Sequence, residues 1–105
     1  MLEISFSYNW NKKLDCNAFT TLRLSDKYKI NDIVKITCKK SIVFNAKIVD
    51  KKVFTLDKIN NFIAYLDTGY DMQECKNILM KMYKNKNINW ETQKIYFYLI
   101  KKIKE

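Results

Sequence analysis

Apolar residues alternate at the start of the chain. Leu2, Ile4, Phe6 and Tyr8 fall on one side, and Glu3, Ser5 and Ser7 on the other. A period of two marks a half-buried β-strand. Residues 9–17 (NWNKKLDCN) keep no clean period and read as a turn or short helix. The stretch from Phe19 to Leu24 (FTTLRL) is rich in β-branched and aromatic residues, which favour strands. Its alternation sets Phe19, Thr21 and Arg23 on one face and Thr20, Leu22 and Leu24 on the other. A polar loop over 25–31 leads to the turn pair Asn31-Asp32, asparagine being tolerant of positive φ. Strands are expected over 33–38 and 42–49, the second extending as far as Phe54, with a turn over 39–41 between them.

The period then changes. Leu56, Ile59, Phe62, Ile63 and Leu66 recur at helical spacing behind Thr55, a capable N-cap. The chain's one glycine, Gly69, stands where a helix stop wants it. Asp71 and Glu74 make a D-x-x-E pattern that opens a second helix, with Cys75, Ile78, Leu79, Met82 and Tyr83 as its buried stripe. After a polar loop over 84–89, residues 94–103 read as a strand apolar on both faces, hence central or half covered by a helix. Trp90, before that strand, reads as a packing lid. The element order predicts an α+β fold: a small, mostly antiparallel sheet or barrel of about five to six strands, with two main helices inserted before the last strand. A length of 105 residues suits one domain, 1–105. The apolar content of 48% is enough for a core.

Composition narrows the chemistry. The longest apolar run, Ile95 to Ile100, is too short for a membrane helix or a signal-peptide core, so a cytoplasmic protein without a membrane partner is expected. Histidine is absent, which removes the commonest general base and metal ligand; neither a metal site nor a cofactor is expected. Three widely spaced cysteines, Cys16, Cys38 and Cys75, read as reduced thiols, with Cys16 a buried structural one by default.

The formal net charge of +9 points to a polyanion partner. An AT-rich coding sequence also yields many Lys, Ile and Asn with one Gly and no Pro, so the charge has two readings. Among twenty basic residues Arg23 is the one arginine, which singles it out. Its planar fork suits a phosphate, a carboxylate or a base edge; the alternative is a structural pair with a carboxylate. Lysines and aromatics interleave near it: Trp10, Lys12, Lys13, Phe19, Lys27, Tyr28 and Lys29. That mixture fits recognition of single-stranded RNA or a nucleoside, although Phe19 also reads as core and Tyr28 as a half-exposed loop residue.

Four stretches, in this order, resemble the ASCH family of PUA-like domains: FTTLR (19–23), KYKINDIVKI (27–36), TLDKI (55–59), and DMQECKNILMKMY (71–83) followed by IYFYLIKKI (95–103). The resemblance spans residues 2–103 and implies a PUA-like β-barrel. Within the family the pattern is nearest to the small bacterial amidohydrolases that cleave N4-acetylcytidine, whose motif is G-x-K-x-x-T-x-R. Thr21 and Arg23 match it, while Cys16 stands at the glycine and Ala18 at the catalytic lysine. The partner glutamate falls on Thr68, beside Asp67, which either substitutes after a one-residue shift or is a solvated carboxylate at a helix end. Lys12 and Lys13 lie in the preceding turn.

Lacking a base at the aligned positions, the Thr21 hydroxyl stays protonated, and binding is expected to survive better than catalysis. The leading expectation is a module that binds RNA, other single-stranded nucleic acid or a modified nucleoside in a cleft around Thr21 and Arg23. Trp10, Lys12, Lys13, Lys27, Tyr28 and Lys29 would contribute. The alternatives are a phage-type small protein acting on a host or defence protein, and a divergent amidohydrolase or nuclease using Thr21 and Arg23, with Asp67.

Overall fold

The computed structural model describes residues 2–39 and 42–103. Five strands form one curled sheet, a half-barrel: β1 (Leu2–Phe6), β2 (Ala18–Arg23), β3 (Ile33–Cys38), β4 (Ile42–Phe54) and β5 (Ile95–Lys102), in the order β1-β3-β4-β5-β2. Two main helices, α1 (Asn61–Thr68) and α2 (Met72–Met82), sit between β4 and β5. The class is α+β, as the element order predicts. β1 runs parallel to β3 and every other pairing is antiparallel. β5 lies between β4 and β2, which explains why both its faces are apolar. Of the turn expected over 39–41, Lys39 adopts φ 52°, and Lys40 and Ser41 lie outside the described residues.

Curvature comes from β4. Ile48 opposes Ile100 and Asp50 opposes Leu99, so Val49 is an extra residue, and such a bulge bends and twists its strand. β4 continues to Phe54, the longer of the two extents expected. The sheet wraps one apolar core that includes Ile4, Val34, Ile36, Ala46, Ile48 and Ile100. A second core lies between the sheet and the helices, around Leu22, Ile59, Ala64, Cys75, Leu79 and Ile95. Trp90 packs against this second core beside Tyr83, as its reading as a lid requires.

The first helix departs from expectation. Thr55 gives no backbone cap; its hydroxyl donates to Asp57, and Leu56–Lys58 form only a 3-10 turn. The helix starts at Asn60, whose Oδ1 accepts from the Ile63 amide at 2.9 Å. That late start rotates the buried face. Ala64, Asp67 and Thr68 point inward, while Phe62 (77% exposed) and Leu66 (50%) face outward. α2 follows its cap as expected, with Asp71 Oδ1 accepting from the Glu74 amide at 2.9 Å. Its stripe is narrower than expected: Cys75 and Leu79 are buried, whereas Met82 is exposed. Gly69 ends α1 in the left-handed region at φ 80°, where a glycine carries no steric penalty. The site has a second demand for it: a Cβ there would meet Asn11 Cγ at 2.9 Å.

Candidate functional site

The aperiodic stretch before β2 folds as two short 3-10 turns over Trp10–Asp15, joined by Asn11 and Lys12 at φ 55° and 53°. Left-handed backbone at non-glycine residues is costly and persists only where the surroundings hold it. Here Asn9 Oδ1 accepts from the Leu14 amide at 2.9 Å, and Asn11 packs on Gly69. The turn drives Lys13 inward, to 5% exposure.

Lys13 Nζ donates to Asp67 Oδ1 at 2.9 Å, and Thr20 Oγ1 donates to the same oxygen at 3.0 Å. Three elements thus meet at one carboxylate: the 3-10 segment, β2 and α1. Asp67 is itself 5% exposed, which corrects the reading of it as a solvated carboxylate at a helix end. The rotated face of α1 now has a reason. Burying Asp67 leaves an ion pair and a hydroxyl to satisfy it, and outward apolar residues cost less than an unpaired buried charge.

Arg23 ends β2 and lines the same space. Its Nε donates to Thr21 Oγ1 at 3.0 Å and its Nη2 donates to the Ser5 carbonyl at 3.0 Å. The guanidinium therefore ties β2 to β1, the two edges of the sheet. No carboxylate among the described residues lies within ion-pair distance of it, so the structural carboxylate pair is not what holds it. Phe6 lies beneath both cations, with its ring centre 4.8 Å from Arg23 Cζ and 5.3 Å from Lys13 Nζ. Burial pushes the Lys13 ammonium below its ordinary pKa, Asp67 pulls it back up in part, and Arg23 pushes it down further. Burial likewise lowers Arg23.

These groups line a cavity of about 370 Å³. Its polar wall holds Ser5, Ser7, Lys13, Thr21, Arg23, Asp67 and Thr68, and its apolar wall holds Trp10, Ile78, Leu79, Met82 and Tyr83. Apolar walls with a few convergent polar groups are the usual make-up of a small-molecule site. Cys75 also lines it, its thiol pushed up to about 11 mainly by burial and so a poor nucleophile near neutral pH.

The structure gathers Trp10, Lys13, Thr21, Arg23 and Asp67 around this cavity. Lys12 sits beside it, in an adjoining concavity that shares Trp10. Lys27, Tyr28 and Lys29 are not brought there. Tyr28 is buried rather than half-exposed: its hydroxyl donates to the Glu3 carbonyl at 2.7 Å and its ring meets Tyr98 edge-on. Lys27 lies over the Tyr28 ring and Lys29 is exposed. Ala18, at the motif's lysine position, is exposed and does not line the cavity; the ammonium in the cavity is that of Lys13. Cys16 is exposed, contrary to the default of a buried thiol, while Cys38 and Cys75 are buried.

Sequence reading missed Ser5, Thr20 and Tyr83. Thr20 carried a signal, a polar residue within an otherwise apolar strand face; Ser5 looked like an ordinary solvent-facing strand residue. No family model matches the chain, and comparison with curated proteins and with solved structures finds no similar protein.

Proposed function

We propose that this protein binds a nucleobase, in a modified nucleoside or in single-stranded RNA, within the cavity around Thr21 and Arg23. The observation that carries the proposal is Arg23: a half-buried cation that lines the cavity, with no carboxylate of the described residues within ion-pair distance. An electron-rich ligand atom such as a base carbonyl or a phosphate oxygen completes its hydrogen bonding. Thr21 Oγ1 accepts from Arg23 and retains its own proton to donate, so the two side chains offer donors along one ligand edge. The volume and the apolar wall suit a planar heterocycle. The surplus of lysine raises the rate of encounter with any anionic strand.

The test is a fluorescence titration with cytidine derivatives and short single-stranded RNA and DNA at two salt concentrations. Wild type is compared with Arg23→Lys and Arg23→Ala, each first checked for folding by circular dichroism. Binding that weakens at least tenfold in both variants is expected. Binding that ignores Arg23 and vanishes at modest salt overturns the proposal and leaves a non-specific basic surface. No binding in any arm overturns it in favour of a protein partner.

One observation favours hydrolysis as a second reading. The Lys13–Asp67 pair lines the same cavity as Thr21, so a lysine whose pKa burial lowers stands near the hydroxyl after all. In this reading the Thr21 hydroxyl attacks an amide carbonyl carbon. Its proton passes to the Lys13 amine and on to the departing nitrogen, and water then releases the acyl group from Thr21. Acetate release from N4-acetylcytidine, abolished by Thr21→Ala and by Lys13→Met, checks it. A wild-type protein that binds this nucleoside without releasing acetate excludes the hydrolytic reading.

A further inference from the structure

The cavity has a neighbour. Across Trp10 lies a second concavity of about 370 Å³, lined by Tyr8, Asn9, Asn11, Lys12, Gly69 and Tyr70 together with Trp10 and Thr68. Trp10 and Thr68 line both spaces, so the two are adjacent. Three aromatic rings form a chain along it. Tyr8 meets Trp10 edge-on at 4.9 Å and Trp10 meets Tyr70 edge-on at 6.3 Å. Both tyrosines are open to solvent, Tyr8 at 55% and Tyr70 at 47%.

This wall is held in place rather than loosely displayed. Asn11 and Lys12 adopt left-handed backbone, and the Asn11 side chain packs on Gly69, where a Cβ would meet its Cγ at 2.9 Å. The same backbone leaves Lys12 exposed at the concavity. A row of half-exposed aromatics with an adjacent ammonium is what a strand of bases and phosphates requires: stacking for the base and charge for the backbone. A free nucleoside would fill the first cavity and leave this row unused.

We infer that the ligand is a nucleotide within a single-stranded nucleic acid: one base enters the Arg23 cavity, its chain neighbour stacks on the Tyr8, Trp10 and Tyr70 wall, and Lys12 meets the linking phosphate. The inference rests on the proposed function and specifies its substrate class. The two spaces meet at Trp10, which acts as the divider between successive bases.

The experiment compares three probes on one protein: cytidine, a cytidine dinucleotide, and an eight-nucleotide single strand made as RNA and as DNA. Binding is followed by tryptophan fluorescence for wild type, Tyr70→Ala, Tyr8→Ala, Lys12→Ala and Arg23→Ala. Tyr8, Lys12 and Tyr70 are exposed, so their variants are expected to keep the wild-type melting temperature. The dinucleotide is expected to bind at least tenfold more tightly than cytidine. Tyr70→Ala should lower dinucleotide affinity by roughly 5- to 150-fold, the range implied by about 1–3 kcal/mol per stacked base, and leave cytidine affinity unchanged. Lys12→Ala should reduce the salt slope of strand binding by about one. RNA and DNA arms that differ indicate a contact to the sugar hydroxyl; equal arms indicate stacking and charge alone, and both agree with the inference. Cytidine binding that depends on Arg23, with a dinucleotide no tighter and indifferent to Tyr70, overturns this inference and leaves the proposed function standing. Strand binding that needs Tyr70 but not Arg23 overturns both.

Discussion

The interior of the half-barrel and the chamber beneath the helices share a wall, β2, but are built by opposite rules. Inside the barrel, Val34, Ile36, Ala46, Ile48 and Ile100 are fully buried, while the buried charged residues among those described, Lys13 and Asp67, line the chamber. The polar atoms that do enter are satisfied at the margin: the Tyr28 and Tyr98 hydroxyls donate to the Glu3 and Ser25 carbonyls. In the chamber Lys13, Thr21 and Asp67 are all buried around open volume, with Arg23 close by, and buried Thr20 bonds to Asp67 from β2. Apolar burial stabilises by about 25 cal/mol per Å², whereas each buried ion costs several kcal/mol before its partner repays it. The barrel therefore holds the fold together, and the chamber gives up stability to keep charge and space available. Such a concession makes physical sense where a ligand fills the space.

The largest effect expected from this contrast is at Asp67. Asp67→Ala strands the buried Lys13 and should lose about 3–5 kcal/mol by chemical denaturation. Replacing the whole cluster, Lys13→Met with Thr20→Val and Asp67→Leu, should return stability to within about 1.5 kcal/mol of wild type while abolishing ligand binding. A cluster replacement that fails to fold would make the chamber part of the structural core and break the contrast.

Ile36→Ala sharpens it from the other side. A truncation in the barrel should cost about 2–5 kcal/mol. The protein that remains folded should bind cytidine with an unchanged Kd, because Ile36 does not line the cavity. A shift in Kd would show that the two regions are coupled.

The pH dependence follows from the same contrast. Burial lowers the Lys13 pKa in the folded protein, so folding releases proton in the window between that lowered value and the ordinary 10.5. Stability must then rise with pH across the window. Cys75 opposes it: its pKa rises from 9.0 to about 11, so stability falls as pH climbs between those values. In Asp67→Ala the lysine loses the partner that pulled its pKa up, and the rising trend should steepen. Denaturant melts across the alkaline range check the sign.

Smaller effects concern the join between the 3-10 segment and α1. Gly69→Ala places a side chain at φ 80° and against Asn11, and should cost about 1–2 kcal/mol. Adding Asn11→Ala should recover the part due to the clash and leave the part due to backbone strain. Smallest of all, thiol labelling near neutral pH should modify exposed Cys16 first, with Cys75 lagging behind it.

Much of the fold was legible along the chain because its signals are local. Alternation in residues 2–6 and 33–38, the two-sided apolar run of β5, Gly69 as a stop and Asp71 as a cap each act within a few residues, and each has the predicted role. The start of α1 was misplaced because Thr55 and Asn60 are both competent caps, and spacing alone does not choose between them. Of the site, Thr21 and Arg23 were legible as neighbours on one strand face. The partnership of Lys13 with Asp67 was not. These residues stand 54 positions apart, and neither hydropathy nor period marks a lysine or an aspartate for burial. By itself the sequence determined the five strands and the second helix, where the first helix stops, and that the chain is basic and free of histidine. Only the tertiary structure decided which charges go inside. A buried ion is tolerable solely in the presence of its partner, and that partner arrives only when the 3-10 segment, β2 and α1 close on one another.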